Sequence, residues 1–160
     1  MMAQIRSETQ EDNTRNIASA AYEVLLTTAA EAAYLTYYDP AQKAMERGDV
    51  TNAHCTTLRQ IDDALENIIP HDPFNLRYAL AGDLKPIFRL RKGRLRICWI
   101  GSTDQRRVFV LFISETLRKA GDVNDPYKIL TKMVKNGTYN QFFKELGIPL
   151  PPIAPSYMIQ

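Results

Sequence analysis

Apolar residues recur at helical steps over the first third of the chain. Ala18, Tyr22, Leu25, Ala29 and Ala33 follow one another at three- and four-residue intervals, which predicts a helix from Asn13 to Tyr38. Its alanines favour helix and allow close packing. Asp39-Pro40 is expected to end it, because a residue before proline avoids the helical region. Leu58, Ile61, Leu65 and Ile68 form the stripe of a second predicted helix, Val50–Ile69, closed by Pro70. Residues 77–82 read as a short connector.

The period then changes to two. Lys85–Arg91, Arg94–Ile100 and Arg107–Ser114 read as three consecutive strands, with turns at "RKGR" and "GSTDQR". In the first two, apolar and basic side chains alternate, so one face is buried and the other wet. The third, "VFVLFI", is apolar on both faces and belongs at the centre of the sheet. Asp125 then offers an N-cap and Pro126 suits a first helical position. Ile129, Leu130, Met133 and Val134 make the buried stripe, and Asn136-Gly137 ends the helix. The expected fold is α+β: an antiparallel sheet with two N-terminal helices and a C-terminal helix packed on it. Residues 1–12 are expected to be mobile, 13–147 to form one domain, and the proline-rich 148–160 to be an extended tail.

Composition adds exclusions. A hydrophobic content of 45% is that of a globular chain rather than a disordered one. No apolar run is long enough for a membrane span, and the N-terminus is too polar for a secretory signal. Cys55 and Cys98 show no metal or disulfide spacing and read as reduced thiols. The expectation is a cytoplasmic protein with no metal and no small-molecule cofactor.

Charge changes the picture once it is divided. Residues 1–82 carry six basic and twelve acidic side chains, whereas residues 83–119 carry ten basic and three acidic. A concentrated basic block points to a polyanionic partner, nucleic acid first. Arg89, Arg91, Arg94 and Arg96 can share one surface of a hairpin around Gly93, and guanidinium forks match phosphate. A solvated strand face is the plain alternative, but one or two lysines suffice to protect an edge. Arg118 and Lys119 follow the third strand and can enter the same cleft. Arg106 and Arg107, at its start, are expected to be peripheral phosphate contacts.

Arginine rarely loses its proton, so RNA cleavage by such a surface needs other groups to move protons. Tyr127, in the first turn of the last helix, is one candidate. Lys85 and Glu115 are others. Trp99 follows the inward parity and reads as core. Neither His54 nor His71 is assigned to chemistry. Arg96→Ala is expected to relieve growth arrest with the fold intact, since a strand-face arginine contributes little to a core.

The segment "LAGDLKPIFRLRKGRLRICWIGSTDQRRVFVLFISETLRK" resembles the sheet region of the RelE/ParE superfamily of bacterial toxins. Its continuation "TLRKAGDVNDPYKILTKMVKNG" resembles the YhaV-type branch. The resemblance implies a microbial-RNase-like sheet and a toxin of a type II toxin–antitoxin pair, acting as a metal-independent endoribonuclease on mRNA, free or on the ribosome. Carried over residue by residue, it implies catalytic roles for Arg89, Arg96, Arg118 and Tyr127. Ile87 stands where the family often has a basic side chain, and nearby Lys85 is the candidate replacement. Arg91, Arg94, Lys119, Arg106 and Arg107 remain as RNA contacts. The implied partner is a cognate antitoxin covering the arginine face with an acidic or amphipathic segment. The alternative on the same fold is a non-enzymatic inhibitor of DNA gyrase.

Overall fold

The computed structural model describes residues 21–115 and 125–155. Strand β1 (Glu23–Leu26) leads into helices α1 (Thr28–Glu46) and α2 (Ala53–Asp63). Strands β2 (Phe88–Lys92), β3 (Leu95–Ser102) and β4 (Arg107–Glu115) follow, then helices α3 (Pro126–Lys135) and α4 (Asn140–Leu146). The sheet order is β1-β4-β3-β2. The β2–β3–β4 meander is antiparallel, and β1 joins β4 in parallel.

The start of the chain departs from the periodicity. Tyr22 and Leu25 fall on a helical repeat, but Glu23–Leu26 is a strand. Val24 and Leu26 point into one core and Leu25 into the other, the alternation of a strand buried on both faces. Thr27 separates the two elements. It is buried, and its Oγ1 accepts from the Ala30 amide at 3.1 Å as the N-cap of α1. Nor does Asp39-Pro40 end α1, which runs on to Glu46 with Pro40 inside. Ala41 and Ala44 beyond it pack against Cys55 and Leu58 of α2. That packing holds the last turns of α1 against a proline cost of roughly 3 kcal/mol. Helix α2 is prolonged by a π-turn, Ala64–Ile68, which brings the helical run close to its predicted end.

Three layers result. Ala30, Ile61, Ala64 and Ile69 cover one sheet face through Leu90, Ile97, Trp99, Val108 and Val110. Trp99 is fully buried, and its Nε1 donates to the Pro73 carbonyl at 2.9 Å. On the other face Ile87, Cys98, Ile100, Phe109 and Leu111 meet Leu130 and Val134 of α3 and Phe143 and Leu146 of α4. Strand β4 is apolar on both faces because both carry helices, and it lies between β1 and β3. A bulge opposite Cys98/Trp99 shifts the β3–β4 register between the halves of the pairing. Ile148, Leu150, Ile153 and Ala154 pack against the α3/α4 layer.

Candidate nucleic-acid interface and active site

Strand register decides which arginines meet. Arg91 pairs with Arg96 across β2–β3, and Arg89 pairs with Cys98. Residues directly opposite share a face, so Arg89, Arg91 and Arg96 occupy one end of the face that α3 and α4 cover elsewhere. Arg94 does not join them. It sits exposed in the hairpin turn after Gly93, whose φ of 58° needs glycine.

Helix α3 supplies the next group. Asp125 caps it by accepting from the Tyr127 amide at 3.0 Å, and Pro126 occupies the first turn. This start aims Tyr127 at the sheet. The Arg89 Nη1 donates a hydrogen bond to the Tyr127 hydroxyl, and the guanidinium carbon lies 5.6 Å from the ring centroid. The Arg89 Nε is buried with no hydrogen-bond partner among the described residues. Two residues 38 apart in sequence thus form one unit.

Arg96 corrects the expectation of a dispensable strand-face arginine. Only 8% exposed, it donates through Nη1 to the carbonyls of Gly93 at 2.7 Å and Leu95 at 3.0 Å. It braces the hairpin as well as adding charge. Cys98 lies between Arg89 and Arg96. Burial pushes its thiol up to about 12, and the pull of the two guanidiniums does not reverse this. Desolvation wins, so Cys98 stays a neutral thiol rather than a nucleophile.

The remaining candidates scatter. Lys85 is exposed ahead of β2, followed by a cis bond to Pro86, instead of standing in the strand. Ile87 is fully buried in the core shared with α3 and α4. Glu115 pairs with Leu95 and so faces the α1/α2 layer. Its Oε2 accepts from Thr57 at 3.3 Å, and its charge helps burial raise the Tyr37 phenol. Arg106 and Arg107 lie at the opposite end of the sheet, Arg107 pairing with Ser102. Arg107 is held by Glu23 at 2.9 Å and Glu145 at 3.9 Å. Arg106 donates to the Ala21 carbonyl at 3.2 Å and stacks on Tyr22. Arg118 and Lys119 lie outside the described residues. Among the described residues no three His, Cys, Asp or Glu gather as metal ligands.

The sequence pattern does not single out Arg77. Arg77 borders an open recess of about 330 Å³ at the outer edge of β2, together with Tyr78, Arg89, Leu90 and Arg91. A single basic residue in a polar connector carries no sequence signal that would mark it.

A sheet between two helical layers, with guanidiniums and a helix-start tyrosine at one end, defines the class: an α+β protein with a cationic site at one sheet end. The chain belongs to the YhaV toxin family, described as a toxin with endonuclease activity of a toxin–antitoxin system, which it matches over residues 22–148. No curated protein matches the chain. Among solved structures, the toxin–antitoxin complex RelBE2 from Mycobacterium tuberculosis shares 19% identity. It covers 62% of this chain and 95% of its own, with a TM-score of 0.42. No helix among the described residues is long and apolar enough to cross a membrane.

Proposed function

We propose that the nuclease substrate is mRNA and that the cut proceeds by attack of the 2′-OH on the adjacent phosphorus. The Arg89–Tyr127 unit is the observation that carries this reading. Arg89 and Arg91 hold the non-bridging oxygens of the scissile phosphate, with Arg96 adding charge from beneath the hairpin. As the 2′-oxygen bonds to phosphorus, its proton leaves to water and the bond to the 5′-oxygen breaks. Tyr127 is the general acid. Its oxygen already accepts from Arg89, so its own proton is free to pass to the departing 5′-oxygen. Products are a 2′,3′-cyclic phosphate and a 5′-hydroxyl. Lys85, ahead of Pro86, is given no step. The cognate antitoxin silences the toxin by covering this arginine face.

Purified protein, mRNA and EDTA test the chemistry, with and without ribosomes. Cleavage leaving 2′,3′-cyclic ends is expected. Products with 5′-phosphates would overturn it, as would gyrase inhibition with intact RNA.

A further inference from the structure

We propose that the recess at the outer edge of β2 is a second phosphate subsite, anchored by Arg77, that takes an RNA phosphodiester neighbouring the one that is cut. The inference rests on the reading of the substrate as RNA.

Three features build the subsite. First, Arg77 is pre-positioned. The turn Leu76–Tyr78 is capped by Asn75, whose Oδ1 accepts from the Arg77 amide at 3.0 Å. The Arg77 guanidinium lies over the Tyr78 ring at 4.9 Å, and Tyr78 is itself fixed edge-on against buried Trp99 at 5.5 Å. A stacked arginine loses little freedom on meeting an anion. Second, the recess gathers Arg77, Arg89 and Arg91, and no ion pair among the described residues involves any of them. Three like charges around one opening repel until an anion enters. Third, Arg89 is common to the recess and the Tyr127 unit, so its guanidinium links the two places.

Shared Arg89 makes the two places continuous, so one strand can run from the cutting site over the β2 edge to Arg77. Arg77 is a positioning residue: it fixes where the strand lies and touches no reacting atom.

A labelled 2′-O-methyl RNA oligonucleotide, lacking the attacking hydroxyl, measures binding by the full-length protein without turnover. Arg77→Ala is expected to weaken binding about 5–10-fold at 0.1 M NaCl and to lower the salt slope by about 0.7, the value for one phosphate contact on a single strand. Arg77→Lys should keep the slope and lose part of the affinity. On cleavable RNA, Arg77→Ala should raise KM and leave kcat unchanged. Arg77 is exposed, so an unaltered melting temperature is the fold control. If Arg91→Ala weakens binding and Arg77→Ala does not, the subsite is wrong while the RNA reading stands. Loss of antitoxin affinity alone in Arg77→Ala would hand the recess to an acidic protein segment. Wild-type protein indifferent to RNA at every salt concentration would remove both proposals.

Discussion

The two ends of the sheet carry similar arginines and use them differently. At the far end Arg107 is clasped by Glu23 and Glu145, and Arg106 is spent on a backbone carbonyl and the face of Tyr22. At the near end Arg89 and Arg91 take part in no ion pair among the described residues, and Arg89 meets a phenol instead of a carboxylate. Counting arginines on a strand does not locate an anion site. What matters is whether the fold has already supplied their counter-charge. Glu23 and Glu145 supply that counter-charge at the far end, whereas at the near end Asp63 reaches Lys92 and, among the described residues, no carboxylate pairs with Arg89 or Arg91.

The sharpest way to break this contrast is Tyr127→Phe. It deletes the hydroxyl that Arg89 touches and nothing else. Cleavage of mRNA in EDTA should fall by about 10²–10⁴-fold, the usual worth of a positioned acid. Binding of 2′-O-methyl RNA should hold within about twofold, and growth arrest on expression should be relieved. A variant that cuts at the wild-type rate would strip the near end of its chemistry.

Arg96→Ala separates charge from bracing. Removing it strands the Gly93 and Leu95 carbonyls and should cost about 1–3 kcal/mol, seen as a lower urea midpoint at constant slope. Exposed Arg91→Ala should stay within about 0.5 kcal/mol while weakening RNA binding. Equal stability of the two variants would mean that Arg96 is held no more tightly than Arg91.

Much of this was legible in the chain. Asp125-Pro126 marks the start of α3 by cap chemistry, and the doubly apolar "VFVLFI" marks a strand inside the sheet. Arg89 and Tyr127 were readable as types, while their meeting depends on how α3 crosses the sheet. The leading strand is hidden because Tyr22, Leu25 and Ala29 satisfy a helical repeat by coincidence, although Thr27 is an N-cap residue type at the true helix start. Burial of Arg96 has a signal in the chain. Beyond it, the supposedly wet parity continues as Cys98 and Ile100, which only a second helical layer could cover. Pro40 misled because local propensity lost to the α1–α2 contact through Ala41 and Ala44.

The far end should respond to packing rather than to charge. A Cβ on Gly101 would lie 2.9 Å from the Phe74 ring and 3.2 Å from the Arg107 carbonyl. Phe74 is held edge-on by Tyr22 and Phe88, so it has little room to retreat. Gly101→Ala should therefore cost about 1–3 kcal/mol in denaturant unfolding, with kcat per folded molecule unchanged. A neutral result would show that the Phe74 layer yields freely.

Arg107→Ala should be the quietest change. The side chain is 34% exposed and its partner Glu23 56% exposed, so water screens the pair. Such bridges contribute about 0.2–1 kcal/mol, and a guanidinium already facing two carboxylates has little attraction left for phosphate. RNA affinity and its salt slope should match wild type, in contrast to Arg91→Ala. Glu23→Gln frees the same guanidinium in part, so it should strengthen binding slightly at low salt if neutralisation is what silences this end. If Arg107→Ala instead lowers the slope as Arg91→Ala does, the RNA strand reaches the whole length of the sheet and the division into two ends fails.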